Sequence, residues 1–430
     1  MKLTYFFISG LAMTIMMSSC SSENDTVTTD NGLKTISLDF SATNLKTRAS
    51  GNPADLNGYI VGPGSKEARL SRLAVGIFNG TTTSSINEIT LDNTKETDSK
   101  LYTASFSAQA AAGNDVYIVA NAPENFFSGQ TTLANFQKMN VLDLGYTTSA
   151  DGKTNFGSDK TLKQQQTALP MFCESKALKE GTDADKNKLV VDGEIAMKRL
   201  VARVGINSIK ISIPSSGMYA NDTFTPTEVF MYNAATTINP DGTLLKADGV
   251  TKKNESSNSG ESTKTFDGWT PGTTMPTIED NLGNYSYLST GIISSFTDNT
   301  SSPSTLATTN QYYFYVFPHT ATTPTKLVIK GTWKNNIKAS DGSDASTYEI
   351  VYYPIVINHS QTGTTITDKD DKAFTPATDS QIDGNMQYNI SAQIKAKGVS
   401  NPATDITPSA ISVALTVTDW SVTNQDVMFE

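Results

Sequence analysis

Apolar and polar residues alternate with a period of two in short runs along most of the chain. Side chains at i, i+2 and i+4 of a strand share one face, so these runs predict half-buried β-strands. They are rich in β-branched and aromatic residues and are separated by Thr, Ser, Asn, Asp and Gly, which is typical of an all-β sandwich. The clearest runs are residues 73–78, 116–120, 200–213, 228–232, 312–317, 327–329 and 352–357. Residues 133–139 favour a short helix.

The strand pattern is interrupted near mid-chain by residues 214–217, which read Pro-Ser-Ser-Gly. Proline and glycine end regular elements, so we place a domain boundary there. A chain of 430 residues is long enough for two domains that each bury a core. We therefore expect an N-terminal β-sandwich over residues 49–214 and a C-terminal β-sandwich over residues 215–430. The polar stretch 236–310 is expected to form long loops around the second sandwich.

A strand pattern near the N-terminus places Ile36, Leu38 and Phe40 on one face and polar residues on the other. Eight residues after Phe40, Arg48 precedes Ala49 in a stretch of small and turn-forming residues, where a backbone is accessible to proteases. A protease specific for arginine could cut between Arg48 and Ala49. The pattern therefore predicts a removable first strand, whose apolar residues are Ile36, Leu38 and Phe40.

Residues 411–430 form one of the strongest strand patterns in the chain, although the alternation shifts by one residue at Asp419. The apolar positions are Ile411, Val413, Leu415, Val417, Trp420, Val422, Val427 and Phe429. The segment could be the last strand of its own domain, or a strand donated to another molecule. Loss of residues 33–48 would uncover unpaired backbone groups and an apolar floor, which a strand from a second copy could fill. Because groove and donor strand lie at different places, such contacts run head to tail and build a filament.

Residues 1–19 combine Lys2 with an apolar run too short to span a bilayer comfortably, which predicts a secretory signal peptide. Small residues lead into Cys20, as in the lipobox of bacterial lipoproteins, so we expect the Cys20 sulfur to be acylated. Plain cleavage without a lipid is the alternative. The polar residues that follow have little to bury. We therefore expect residues 20–48 to form a lipidated propeptide, and the precursor to be a lipoprotein of the outer membrane.

The net charge, the cysteines and the histidines argue against several classes of function. The chain carries 33 basic and 43 acidic residues, and its net charge of −10 disfavours nucleic acid as a partner. Cys20 and Cys173 are its two cysteines, so the mature domains cannot hold an internal disulfide. His319 and His359 stand in no spacing typical of a metal site or of a nucleophile and its base. We therefore expect no metal, no cofactor and no enzymatic activity.

Six motifs, spread in order along nearly the whole chain, resemble landmarks of the major fimbrillins that build the type V pili of Bacteroidia. They are Val-Tyr-Ile-Val-Ala-Asn-Ala (116–122), Leu-Pro-Met (169–171), Met-Lys-Arg-Leu-Val-Ala-Arg-Val (197–204), Thr-Pro-Thr-Glu-Val-Phe (225–230), Tyr-Pro-Ile-Val-Ile-Asn (353–358) and Asp-Trp-Ser-Val-Thr-Asn-Gln (419–425). The resemblance implies two transthyretin-like Greek-key β-sandwich domains in tandem. It also implies export as a lipoprotein, cleavage by an arginine-specific surface protease and polymerisation by strand exchange.

Carried over residue by residue, Cys20 matches the lipidated cysteine, and the bond between Arg48 and Ala49 matches the cleavage junction. Residues 411–429 match the donor strand. A shaft subunit needs both a groove that opens and a donor strand, and this chain has candidates for both. The resemblance therefore implies a shaft subunit of a fimbria on the cell surface. Its partners would be other copies of itself, tip and anchor subunits, an arginine-specific protease and an adhesion ligand that the sequence does not specify.

Two other functions stay open at the level of sequence. The chain could be a tip or accessory adhesin of a fimbria, or a glycan-binding surface lipoprotein that never polymerises, in which Trp269, Trp333 and Tyr285 stack on sugars.

The small number of arginines is relevant to the proposed protease, because an arginine-specific protease on the cell surface could also cut at other exposed arginines. The five arginines are Arg48, Arg69, Arg72, Arg199 and Arg203. Codon bias toward lysine is the alternative explanation for their scarcity.

Overall fold

The computed structural model describes residues 33–42, 70–91, 102–138, 142–143, 169–182, 187–193, 195–235, 237–243, 312–318, 324–360, 364–367, 370–376, 378–402, 404–407 and 410–419. Within these ranges the regular secondary structure is β-strand apart from one short helix, α1 (Leu133–Lys138). The prediction of an all-β fold is confirmed, and α1 lies where the sequence favours a helix. The predicted loops at 236–310 and the propeptide residues 20–32 and 43–48 lie outside the described residues, apart from 237–243.

One group of strands forms the N-terminal sheet. It consists of β1 (Leu33–Ala42), β2 (Arg72–Asn79), β3 (Thr82–Thr90), β4 (Tyr102–Gln109), β5 (Asp115–Ala120), β7 (Met171–Ala177), β8 (Lys179–Glu180), β9 (Lys188–Val190) and β10 (Ile195–Arg199). The strand order is β3-β2-β5-β7-β10-β1-β9-β8, and β4 pairs with β1. The sheet folds over one core, because Leu38 of β1 and Val75 of β2 belong to the same buried cluster. A short strand, β6 (Leu142–Asp143), stands apart from this sheet.

The other group forms the C-terminal sandwich. Its strands are β11 (Ala202–Ile211), β12 (Thr223–Tyr232), β14 (Tyr312–Val316), β15 (Lys326–Asn335), β16 (Thr347–Val356), β17 (Thr364–Thr367), β18 (Met386–Ile394) and β19 (Ile411–Asp419). A sheet of order β14-β11-β18-β19-β17 faces a sheet of order β12-β15-β16. Ile390 and Leu415 of the first sheet and Ile329 and Tyr353 of the second share one core.

Strand pairing changes from one group to the other at Leu200 and Val201, not at the predicted boundary of 214–217. β10 pairs within the N-terminal sheet, whereas β11, which begins at Ala202, pairs with β14 and β18. The break at 214–217 follows the end of β11 and leads into β12 inside the C-terminal sandwich. The sequence does not reveal where the chain changes from one sheet to the other, because residues 195–211 form one nearly continuous apolar pattern across that point.

The two groups meet across a third hydrophobic cluster. It combines Phe78 and Phe136 from the N-terminal part with Leu200, Tyr315 and Phe317. Within it the rings of Phe127 and Phe136 stack with centroids 4.3 Å apart. β6 also pairs with β13 (Thr237–Ile238), which follows β12. The contact between the groups is therefore a packed core and not a bare linker.

The chain enters and leaves the C-terminal sandwich at the same end. β11 begins beside the N-terminal sheet, β18 runs parallel to β11, and β19 runs antiparallel to β18, so that Asp419 lies opposite Met386. We call this end, which carries Leu200, Val201 and Asp419, the junction end. The opposite end, which carries Ile211 and Ile411, is called the distal end.

Candidate functional site

The predicted removable strand is a central strand of the N-terminal sheet. Ile36, Leu38 and Phe40 are each 0% exposed and belong to its core. Their period of two turns them to one face, while Asp39 on the opposite face is exposed. The structure therefore brings all three predicted residues together in one buried row.

β1 has hydrogen-bonded neighbours on both sides. It is antiparallel to β4 over eight residue pairs, from Leu33 opposite Gln109 to Phe40 opposite Tyr102. On its other side it is parallel to β9 at residues 35–36 and to β10 at residues 40–42. We call the space between β4 on one side and β9 and β10 on the other the β1 slot.

The slot has an apolar lining and a polar outer surface. Ala104 and Ala108 of β4 and Leu189, Ile195 and Met197 of β9 and β10 are buried in the same core as β1. On the outer surface the Thr103 hydroxyl donates a hydrogen bond of 2.7 Å to an Asp39 carboxylate oxygen. A strand that replaced β1 would therefore need apolar side chains on alternate positions and polar ones between them.

Burial holds β1 in place. Full burial of three large apolar side chains is worth about 1.5–3 kcal/mol each, or roughly 5–9 kcal/mol before the backbone ladders are considered. The figure is an upper estimate because an unfolded segment already hides some apolar surface. β1 would therefore not leave the slot readily unless another strand took its place.

The predicted processing residues Cys20, Arg48 and Ala49 lie outside the described residues. β1 ends at Ala42, six residues before Arg48, and the next described residue is Leu70. The bond between Arg48 and Ala49 thus belongs to the connection between β1 and the rest of the N-terminal sheet. Its cleavage stays a prediction.

The first half of the predicted donor strand is β19. Ile411, Val413, Leu415 and Val417 are 3–5% exposed and lie in the core of the C-terminal sandwich. β19 is antiparallel to β18 over nine residue pairs and parallel to β17 over four. In the folded chain residues 411–419 are therefore a strand of their own sandwich, and donation of this segment to another molecule stays a prediction. The other predicted donor residues, Trp420, Val422, Val427 and Phe429, lie outside the described residues.

Of the five arginines, the three that the structure describes lie within strands. Arg72 begins β2, Arg199 ends β10 and Arg203 lies in β11, where Tyr315 and Gln387 flank it on either side. Arg199 and Arg203 are 1% and 3% exposed. A protease binds its substrate as an extended, unpaired segment, so these positions are protected in the folded chain. Arg203 lies in the run 200–213, which the sequence predicts to form a strand.

The sugar-stacking role considered for Trp333 does not fit the structure. Trp333 is 0% exposed, its indole N–H donates to the Asp222 carboxylate at 3.0 Å, and Tyr219 packs edge-on against its ring. A ring in this position stabilises the core and cannot stack on a ligand. Trp269 and Tyr285 lie outside the described residues.

His359, Asp379 and Ser380 cluster near the junction end, but not as a catalytic triad. The Asp379 carboxylate and the Ser380 hydroxyl both approach His359 Nδ1, at 2.6 and 2.9 Å. A triad needs the serine and the acid on opposite ring nitrogens, so that the imidazole can take a proton from the serine. Burial acts to raise the pKa of Asp379, but hydrogen bonds from Ser360 N and His359 together lower it below its usual range. The cluster therefore connects two turns by hydrogen bonds.

Two further observations concern the described residues alone. They contain no group of three or more His, Cys, Asp or Glu side chains arranged to hold a metal ion. They also contain no helix long and apolar enough to cross a membrane.

Sequence reasoning missed β3 and β4, and β4 forms one wall of the slot. Its buried positions include Ala104 and Ala108, which are too small to give a strong hydrophobic signal. The alternation of Tyr102, Ala104, Phe106 and Ala108 with Thr103, Ser105 and Ser107 is visible once alanine is counted as a core residue. That pattern would have predicted a strand able to pair with β1.

The fold is shared with solved proteins. One candidate cell adhesion protein from Parabacteroides distasonis is 17% identical, with a TM-score of 0.54 over 91% of this chain and 98% of its own. A second from the same species is 15% identical, with a TM-score of 0.53 over 90% and 100% of the two chains. A fimbrilin from Porphyromonas gingivalis also matches, at 15% identity and a TM-score of 0.49 over 91% and 99%. No protein-family model and no curated protein sequence matches the chain. The first two likenesses show a common fold and agree with the resemblance drawn from the sequence.

Proposed function

We propose that this chain is a structural subunit of a surface fimbria, in the shaft position, and that it is not an enzyme. In this proposal it is exported as a lipoprotein with the lipid on Cys20, cut after Arg48, and polymerised by strand exchange into a filament that supports adhesion. Its two parts would be transthyretin-like Greek-key sandwiches in tandem. Other copies, tip and anchor subunits and an arginine-specific protease would be its partners.

The position of β1 carries the proposal. The first described strand has paired neighbours on both sides and buries Ile36, Leu38 and Phe40 completely. It is joined to the next described residue through a segment that contains Arg48. Its loss would leave backbone groups of β4, β9 and β10 without partners above an apolar core. Such an edge is filled by strand addition.

Cleavage would change the balance between β1 and a competing strand. While β1 is covalently attached, it has a high effective concentration at its own slot, and a strand from another molecule cannot compete. After the cut, β1 is a separate peptide that is lost by dilution once it dissociates. An incoming strand with the same alternation recovers the burial that β1 gives up. The precursor is therefore kept monomeric until it is cut.

The buried state of Trp333 and the protected arginines support a polymerising subunit over the alternatives. One of the three aromatic rings considered for sugar binding is a core residue. Arg72, Arg199 and Arg203 lie in paired strands, so an arginine-specific protease could trim the N-terminus without destroying the folded body.

The test uses the full precursor with Arg48→Ala and Arg48→Lys, and Lys46→Ala as the matched control. Arginine-specific cleavage of the parent and of Lys46→Ala should give filaments in electron micrographs, whereas both Arg48 variants should stay monomeric and keep residues 33–42. Filaments of normal length from uncut Arg48 variants would contradict the mechanism. Monomers from the fully cut parent would favour a non-polymerising adhesin.

A further inference from the structure

A connecting segment closes the outer edge of β16 in the C-terminal sandwich. Among the described residues, β16 pairs in a ladder with β15 alone. The segment between β18 and β19 crosses the other edge of β16, and we call its described residues, 395–402 and 404–407, the strap. Tyr352 donates its backbone N–H to the Val399 carbonyl at 2.8 Å, and the Val399 N–H donates to the Tyr352 carbonyl at 3.0 Å. The strap therefore satisfies the backbone groups that Tyr352 turns away from β15.

These two bonds also show which other backbone groups of β16 face outward. Alternate residues of a strand point their N–H and C=O groups to the same side, and the β15–β16 register runs without a shift. The backbone groups of Tyr348 and Ile350 therefore face the same side as those of Tyr352. Pro354 shares this parity, so its missing N–H costs no bond to β15. An edge rich in aromatic and β-branched residues pairs readily with another strand when it is open.

Two ion pairs and an apolar contact hold the strap on the sheet. Lys397 Nζ lies 2.7 Å from a Glu349 carboxylate oxygen, and Lys326 Nζ lies 2.9 Å from the Asp405 carboxylate. The Val399 side chain packs on the face of the sheet that points away from the sandwich core, against a cluster of Phe230, Tyr232, Val328 and Tyr352. The strap therefore covers apolar surface as well as backbone groups.

Gly398 allows the strap to lie this close to β16. A Cβ atom at this position would come within 2.6 Å of the Tyr352 carbonyl oxygen and 3.1 Å of the Tyr353 ring. The nearer atom belongs to the backbone of a paired strand, so it cannot move aside as a flexible side chain can. The Tyr353 hydroxyl donates to the Ala396 carbonyl at 2.8 Å and fixes the chain just before Gly398. A larger residue at 398 must therefore lift the strap from β16.

We propose that the strap is an edge guard, which keeps β16 from pairing with the β16 strand of a second copy. Two β16 strands can pair antiparallel with Ile350 opposite Ile350, because the outward backbone groups of the two strands then face each other. In that register Glu349 of one copy lies opposite Val351 of the other, so no like charges meet. The inference does not depend on the proposed function. A chain that grows by strand addition at one site nevertheless needs its other strand edges closed.

Gly398→Val tests the guard in the uncut full-length precursor, in which β1 stays attached. The lifted strap should raise the exchange rate of the Val399 amide by about tenfold or more. The mass measured by analytical ultracentrifugation should double. Ser400→Val adds a side chain at an exposed strap residue and, as the matched control, should change neither result. Ile350→Lys added to Gly398→Val should restore the mass of the parent while exchange stays fast, because two lysines would face each other at the centre of the ladder.

Three results would overturn the inference. Fast exchange at Val399 with the mass of the parent would show an open edge that does not pair. Slow exchange in Gly398→Val would show that Gly398 does not position the strap. Association that persists with Ile350→Lys would mean that the copies meet at another surface. If Gly398→Val does not fold, Gly398→Ala, which makes the same close contact with a smaller side chain, replaces it with the same expected and contradicting results.

Discussion

β1 and β19 are both central strands near the ends of the chain, yet they differ in how they are connected. β1 buries three apolar side chains between β4 and the pair β9 and β10, and β19 buries four between β18 and β17. Arg48 follows β1 by six residues, whereas the last arginine before β19 is Arg203, inside β11. Burial is thus similar in both strands, whereas the arginine proposed as the cleavage site lies close to β1 and far from β19 in the sequence.

This difference explains why one strand can be temporary and the other permanent. A buried strand leaves its sheet only when its loss is compensated and its covalent link is cut, and an arginine-specific protease can do this for β1. For β19 the chain offers no arginine nearby. In the proposed mechanism, the N-terminal part therefore accepts a strand and the C-terminal end donates one.

Truncation at the C-terminus should have the largest effect on assembly and stability. Two truncations distinguish the role of residues 411–419 from that of residues 420–430. Removal of residues 420–430 leaves β19 in place, so the monomer should keep its unfolding midpoint but lose all filament growth. Removal of residues 411–430 also deletes a central strand and its four core side chains, so the C-terminal sandwich should unfold. Denaturant unfolding and electron microscopy of both truncations check the two outcomes. Filaments from the shorter truncation would exclude residues 420–430 as the donor.

Matched substitutions in the two strands should differ after maturation. Leu38→Ala and Leu415→Ala each remove a buried side chain, at 0% and 3% exposure, and each should destabilise the precursor by about 2–5 kcal/mol. In filaments the Leu38→Ala effect should vanish, because β1 has been discarded, while the Leu415→Ala effect should persist. Precursor unfolding in urea and thermal dissociation of filaments measure both. An equal loss of filament stability from Leu38→Ala would mean that β1 is retained.

The hydrogen bond between Thr103 and Asp39, on the outer surface of the slot, should make a smaller contribution to the retention of β1. Thr103→Val removes the donor to Asp39 and should weaken retention of the cut β1 peptide by about 0.5–1 kcal/mol. Ser105→Ala, on the same exposed face of β4, is the control. Faster release of the peptide, followed by mass spectrometry after cleavage, is the expected result for Thr103→Val only. Identical release from both variants would remove this role of Thr103.

The smallest expected effect is the pH dependence of the stability that Asp379 contributes. Since the pKa of Asp379 is lowered in the fold, its contribution to stability is present above the usual aspartate pKa and is lost as the pH falls through the lowered value. Asp379 is 49% exposed, so screening limits the effect to about 0.5 kcal/mol or less. The difference in melting temperature between the parent and Asp379→Asn should be small at pH 7 and shrink further as the pH falls below the usual aspartate pKa. A difference that grows in acid would contradict this sign.

The sequence predicted the all-β fold, α1 and the alternation in β1 and β19, because each depends on local periodicity. It could not place the change between groups at Leu200 and Val201, since an apolar strand pattern does not reveal which sheet it joins. It also missed β4, whose buried alanines carry little hydrophobic signal. Whether residues 411–417 serve their own core or another molecule depends on the partners β17 and β18, which only tertiary structure supplies.

Whether β1 is discarded on assembly can be measured directly as the peptide content of purified filaments, determined by mass spectrometry after complete denaturation. We expect subunits that begin at Ala49 and extend to Glu430, and no peptides that contain Ile36, Leu38 and Phe40. Filaments in which residues 33–42 are present in equal amount to the rest of the chain would contradict it, because the β1 slot would then never have been vacated for a second copy.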